Sequence, residues 1–186
     1  MFNKDLLLVD IEATGLDPHK NEIIQIAAIL LDKKTLREKK SFVSYVRPEN
    51  WRNRNPESMA INNISFAQVK HSPTLKATLA SLHKKFDLNK VIIANYGPIL
   101  DIEFLKAAYR KLKKPYPFEY HVFNIWPLCY TYAAKHGLLK NRQRYTGFSL
   151  EDLMRHFKIS AENRHDALVD CQVTAEVLRQ IIKNQY

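Results

Sequence analysis

Cysteine and glycine are both scarce in these 186 residues: two Cys and four Gly, with eight Pro. Cys129 and Cys171 form no C-x-x-C, which excludes a disulfide scaffold and a Cys-rich zinc site. Both fall in segments read as helix, and as reduced thiols they fit a cytoplasmic setting. So little glycine and proline also excludes collagenous and low-complexity chains. Long apolar runs are missing as well. The longest, Ile23 to Leu31, is broken by Gln25 and falls well short of the ~18 residues of a membrane span, so no membrane partner is expected. Asp5 and Asp10 fall inside what would be the apolar core of a signal peptide, so the N-terminus reads as the start of a structural strand. Acidic residues are in deficit: 29 Lys and Arg face 19 Asp and Glu, a formal charge of +10. That balance favours a polyanionic partner without establishing nucleic acid.

The rest of the composition is ordinary for a globular chain, 46% hydrophobic and 26% charged. The length suits one domain over 1–186, with a core that needs neither disulfide nor structural metal. Leu6–Val9 reads as a buried strand closed by turn chemistry in Thr14–Pro18. Glu22–Asp32 reads as a second strand and residues 36–47 as a third, joined by short turns into an antiparallel meander. Residues 48–71 read as a long loop with one helical turn near Pro56–Ile61. Ser72 and Pro73 have the character of an N-cap and first helical position, opening a helix to about Phe86. Val91–Ala94 is a strand, Ile99–Leu112 a helix, 120–126 a fifth strand, and Pro127 to about His136 a helix. Ser149–Asp152 resembles a capping box, and the last helix runs from about Ala167 to Ile182. The order β-β-β, then α-β-α-β and further helices, implies an α/β fold: one mixed five-stranded sheet flanked by helices.

Asp10 and Glu12 stand two apart at the end of the first strand, hence on one face. Paired carboxylates repel, and burying them requires protons or a cation. An oxygen-seeking divalent ion such as Mg²⁺ or Mn²⁺ is one solution, and a solvated strand end is the other. Near the C-terminus, His165 and Asp170 are ~140° apart on a helix of 3.6 residues per turn. They meet only if His165 lies in the loop before the helix and Asp170 in its first turns. The alternative is a capping Asp166 beside an exposed His165.

Four segments carry a resemblance when taken together. LLLVDIEATGLDP, followed by EIIQIAAILLD, resembles the first motif of the DEDD-type exonucleases; VIIANYGPILDIEFLKAAY resembles the second. HDALVDCQVTAEVL resembles the third in the His-containing (DEDDh) branch, H-x₄-D, and SLEDLMRHFKI the helix before it. The chain is identified as a member of that family, similar to the proofreading subunit of bacterial replicative polymerase and to ribonuclease T.

The resemblance implies a ribonuclease H-like fold and a metal-dependent 3′–5′ exonuclease. Such an enzyme hydrolyses phosphodiester bonds at 3′ ends of single-stranded nucleic acid, DNA slightly favoured, and releases 5′-mononucleotides. Asp10, Glu12, Asp101 and Asp170 match the ligands of two divalent ions, Mg²⁺ or Mn²⁺, which clamp the phosphate. His165 matches the general base. Thr14 matches a residue whose hydroxyl and neighbouring amides hold the terminal nucleotide. Leu16 matches an apolar wedge against its base, core packing being an equal account. The rival readings are an RNA-trimming enzyme of the same chemistry and a non-catalytic nucleic-acid-binding module. No polymerase or helicase domain is attached in this sequence, and a polymerase partner is left open without support.

The second motif departs from the family pattern, His-Asn-x-x-Phe-Asp. Asn95 lies six residues before Asp101 instead of four, Ala94 replaces the His, and Pro98 intrudes. The approach to the site is therefore expected to differ in shape, with Glu103 as fallback ligand. Positive charge gathers in three stretches: residues 33–54 at net +6, 104–118 at +5 and 135–144 at +4. Trp51, Tyr145 and Phe148 interleave with the first and third, as suits base stacking on single strands.

Overall fold

The computed structural model describes residues 2–140, 147–163 and 165–185. Its first three strands, β1 (Leu6–Ala13), β2 (Ile23–Leu31) and β3 (Glu38–Tyr45), form the expected antiparallel meander. β4 (Ile92–Asn95) lies parallel to β1, and β5 (Phe123–Asn124) parallel to β4, giving the sheet order β3-β2-β1-β4-β5. Among the described residues the α-helices are, in chain order, α1 (Pro56–Asn62), α2 (Phe66–Val69), α3 (Leu75–Lys85), α4 (Leu100–Lys111), α5 (Trp126–Lys135), α6 (Leu150–Phe157) and α7 (Ala167–Gln185).

β1 is central, and helices cover both of its faces, which is why Leu6–Val9 reads as an unbroken apolar run. Leu6 and Leu8 share a core with Cys129, Leu153, Cys171 and Leu178 of α5, α6 and α7. Leu7 and Val9 share the other with Leu79, Leu82, Leu105 and Tyr109 of α3 and α4. Both cysteines are free and buried on helices. β3 forms an edge, and its exposed Glu38, Lys39 and Lys40 discourage pairing with another strand. Among the described residues no helix is long and apolar enough to cross a membrane.

Three expectations need correction. Pro73 does not open a helix: its carbonyl accepts from Arg47 N at 2.9 Å, and Thr74 bridges Arg47 in parallel fashion. That pairing keeps the backbone extended, and Thr74 becomes the cap of α3, accepting from Ala77 N. Residues 48–71 hold more than one helical turn. α1 starts behind Asn55, whose side chain accepts from Ser58 N, and α2 behind a Ser65–Gln68 capping box. β5 is two residues long rather than seven, because only Ala94 and Asn95 of the short β4 remain to pair with it. The Ser149–Asp152 capping box of α6 is present as read. Arg142, Arg144 and Tyr145 lie outside the described residues.

β1 pairs with β2 along its whole length but with β4 only from Leu6 to Leu8. Past Leu8 a crevice opens at the carboxyl ends of two parallel strands, where open α/β sheets place their ligands. Asp10 and Glu12 stand in it.

Candidate active site

Carboxylate oxygens of Asp10, Glu12 and Asp170 lie within 4.8 Å of one another, and each residue is half-buried. Three carboxylates at that spacing suit a hard divalent cation. β1 supplies two of them through its two-residue period. Asp170 arrives from the first turn of α7, whose start is pinned to the sheet by Gln25. Gln25 Nε2 donates to Asp166 Oδ2 at 2.7 Å, and Gln25 Oε1 accepts from Ala167 N at 3.1 Å. Asp166 in turn caps the helix, its Oδ1 accepting from Leu168 N and Val169 N.

His165 lies in the turn before α7, exposed, with its backbone N–H 3.4 Å from Asp170 Oδ1. The capping Asp166 and a His165 beside Asp170 thus coexist. The His165 backbone is left-handed, φ +70, a conformation costing ~1–2 kcal/mol in a non-glycine residue. A turn donating Asp166 N to Asn163 O at 3.2 Å accompanies it.

Asp101 enters from the first turn of α4. It is not one of the three clustered carboxylates; Asn95 Nδ2 at 3.4 Å, the backbone amide of Ile11, the residue between Asp10 and Glu12, and its own backbone amide donate to it. Burial pushes the Asp101 carboxyl up to about 7, against the lowering effect of those three donors. Burial also raises the Cys171 thiol well above its ordinary value, and the charges of Asp10, Asp101, Asp170 and Asp166 add to it; Asp101 borders the same pocket as Glu12. Glu103 instead pairs with Lys106 at 2.8 Å and is not in the cluster.

The longer Asn95–Asp101 connection is folded back on itself. Asn95 Nδ2 donates to Pro98 O and Asn124 Nδ2 to Gly97 O, each at 3.0 Å, with Gly97 at φ +93. The two extra residues are taken up in this loop, and Asn95 still reaches Asp101.

Thr14 has no exposed surface, and its hydroxyl oxygen accepts from Glu22 N at 2.9 Å. That contact closes the 14–22 loop, which carries Leu16. Leu16 is 72% exposed, which rules out core packing. It lines a pocket of about 120 Å³ with Ile61, Leu100 and Phe104, bordered by Glu12 and Asp101. Ile61 escapes a reading of the sequence. It is 59% exposed on α1, and the neighbouring Asn62 fixes that helix by donating to Ala13 O at 3.1 Å. Gln25 escapes too, since nothing local distinguishes it from a polar break in an apolar strand.

Several basic residues are already committed. Lys39 meets Asp5, Lys140 meets Asp152, and Lys111 meets both Glu22 and Glu49. Lys113 and Lys114 are exposed past the end of α4.

Comparison with known proteins accords with this geometry. The RNase_T exonuclease family matches residues 7–178. The DNA polymerase III subunit epsilon of Rickettsia prowazekii (strain Madrid E) is 32% identical over 174 residues, covering 92% of this chain and 71% of that protein. That of Aquifex aeolicus (strain VF5) is 26% identical over 98% of this chain and 83% of its own length. Among solved structures, the zinc-bound E. coli ExoI–ssDNA complex superposes with a TM-score of 0.79 at 22% identity, over 98% of this chain and 41% of that one. The nuclease domain of 3'hExo, a DEDDh family member bound to rAMP, gives a TM-score of 0.73 at 21% identity, over 97% of this chain and 92% of that one. At these identities the structures establish a shared ribonuclease H-like fold. By the family match across most of its length, this chain belongs to the RNase_T exonuclease family.

Proposed function

We propose that this chain, as a single exonuclease domain over 1–186, removes nucleotides from the 3′ ends of single-stranded nucleic acid, DNA in preference to RNA, and releases 5′-mononucleotides. The observation that carries this is the Asp10–Glu12–Asp170 cluster, with Asp101 next to it and His165 at its rim. Divalent ions, Mg²⁺ or Mn²⁺, held by these four carboxylates would neutralise the phosphate, activate water and steady the leaving 3′-oxygen. The terminal base rests between Leu16 and Ile61, whose exposed apolar side chains flank the pocket beside Glu12 and Asp101. A pocket of only about 120 Å³ suits a chain end rather than an internal stretch. His165, with its side chain exposed, takes the proton of the attacking water on an imidazole nitrogen. Its backbone anchor on Asp170 keeps it at the edge of the cluster.

DNA preference rests on the likeness to polymerase III epsilon subunits, which also brings a replicative polymerase into the reading as partner and a cytoplasmic setting with it. The test is digestion of matched 5′-labelled DNA and RNA oligomers, with free or blocked 3′ ends, in Mg²⁺. Stepwise shortening of free 3′ ends, faster on DNA, is expected. Cutting of circular single strands would show an endonuclease, and faster RNA trimming would reassign the substrate.

A further inference from the structure

The carboxylate cluster lies between two hollows. Glu12 and Asp101 border the Leu16–Ile61 pocket. Asp10 and Asp170 border a second hollow of about 330 Å³, walled by Tyr96, Pro98, Trp126 and Phe148. A phosphodiester seated at the cluster has one nucleotide on each side. With the terminal nucleotide on the Leu16 side, its 5′ neighbour falls in the second hollow. We propose that the hollow between Tyr96 and Trp126, backed by the buried Phe148, is a base-stacking subsite for the nucleotide immediately 5′ of the scissile phosphate, an inference resting on the exonuclease reading above.

The chemistry of the walls selects a base. Trp126 is half-buried; the buried Phe148 packs on it at 5.8 Å and 27°, and Tyr130 at 5.2 Å and 26°, so these rings brace Trp126 and the part of it left open lines the hollow with Tyr96. Among the described residues lining this hollow there is no Lys or Arg, and Glu151 lines it beside Asp10 and Asp170, so it offers the rings of Tyr96 and Trp126 to a base and no counter-charge for phosphate. Every base has a π face, so recognition of this kind tolerates all sequences and requires an unpaired strand. The walls are also fixed before any strand arrives. Asn124 holds both: its Nδ2 donates to Gly97 O and its Oδ1 accepts from Trp126 N, each at 3.0 Å. Tyr96, Gly97 and Pro98 lie in the lengthened Asn95–Asp101 connection, so the departure in the second motif builds one wall of this subsite.

The test uses substrates and fluorescence on the intact chain. The chain has two tryptophans, and Trp51 packs elsewhere against Phe66. A Trp51→Phe variant therefore reports on Trp126 alone. It is titrated, in Ca²⁺, with single-stranded oligonucleotides whose last linkage is a phosphorothioate. Quenching is expected with the intact strand and with a strand abasic at the terminal position, and is abolished when the second nucleotide from the 3′ end is abasic. In parallel, the parent in Mg²⁺ should show a KM higher by roughly 5- to 150-fold for the strand abasic at that second position, the equivalent of stacking on one base. Tyr96→Ala should narrow that difference while leaving the response to a terminal abasic site unchanged. Strands cut equally well with and without the second base, with Trp126 emission indifferent to it, would overturn the subsite alone. No cutting of any strand would overturn the exonuclease reading instead, with the quenching still deciding whether the hollow binds a base.

Discussion

A methyl group added at Gly15 would sit 2.3 Å from Asn21 Oδ1, far inside van der Waals contact. Asn21 has little room to yield, because its Oδ1 accepts from Asp17 N at 3.0 Å and its Nδ2 donates to Asn53 O at 2.9 Å. Gly15→Ala must therefore open the loop that presents Leu16. The expected cost is ~1–3 kcal/mol of stability, as for other overpacked sites, with a rise in KM. A denaturant melt and steady-state kinetics on one preparation check it, and a variant with unchanged KM would detach this loop from the substrate. At His165 the expectation runs the other way. Its side chain is exposed, so His165→Ala should leave the melting temperature nearly unchanged while the single-turnover rate falls roughly 10²–10⁴-fold. A variant that melts several degrees lower yet cuts at the parental rate would make His165 structural. The meeting of Asp10, Glu12 and Asp170 is half legible in the sequence: strand spacing puts the first two on one face, but the resemblance to the exonuclease motifs, and not spacing, joins Asp170 to them and suggests a metal. Ile61 is not, since an exposed isoleucine on a short helix acquires meaning only from the loop that folds against it.

At the scale of elements, the attachment of α7 to the sheet decides where Asp170 stands. Gln25 and Asp166 are 141 residues apart in sequence, and their bond at 2.7 Å is part-buried. Gln25→Leu keeps the bulk but strands the Ala167 amide and one oxygen of Asp166. Leaving buried polar groups unpaired costs about 1–3 kcal/mol. Supporting groups behind metal ligands typically alter affinity about 10–100-fold when removed. Gln25→Leu should therefore melt lower and also bind Mn²⁺ more weakly by calorimetry, while lower stability with parental Mn²⁺ affinity would confine Gln25 to a structural role. The strand meander and the helix order are readable because periodicity and turn chemistry are local. The start of α3 is not, because Ser72–Pro73 is a good local cap, yet Arg47, distant in sequence, claims the Pro73 carbonyl. Register between remote segments is a tertiary property, and it overrides the local signal there.

For the whole molecule, the +10 charge is less available than the count suggests. Lys111 spans Glu22 at 3.1 Å and Glu49 at 2.8 Å, so it serves as a tie between α4 and the loops beside it. Lys113 and Lys114, like Arg110, are exposed in the same basic stretch. Reversing Lys113 and Lys114 to Glu should flatten the dependence of log affinity on log salt by about 0.7 for each phosphate no longer neutralised, raising KM more than it lowers kcat. Lys111→Glu should cost stability instead, by setting three carboxylates together. An unchanged salt slope in the double variant would place that helix end away from the strand.

Metal and pH act on the same carboxylates, so the stability of the whole fold should report them. In the metal-free protein, burial raises the Asp101 carboxyl from its ordinary value of 3.8 to about 7. A raised value means the folded state binds the proton more tightly than the unfolded chain. The stabilisation is then fully present below about pH 4 and fades as pH rises through about 7. Mutual repulsion of Asp10, Glu12 and Asp170 works in the same direction once they ionise. A divalent ion reverses the preference, because it binds the ionised carboxylates of the folded state and stabilises by mass action. Thermal melts across pH 5 to 8, with EDTA and with Mg²⁺ or Mn²⁺, should diverge: the EDTA series falling towards high pH, the metal series holding, and the gap widening with pH. Asp101→Asn should flatten the EDTA series and shrink the metal-induced gap. Parallel curves with and without metal would mean that Asp101 is buried for packing alone and that the cluster does not bind a divalent ion.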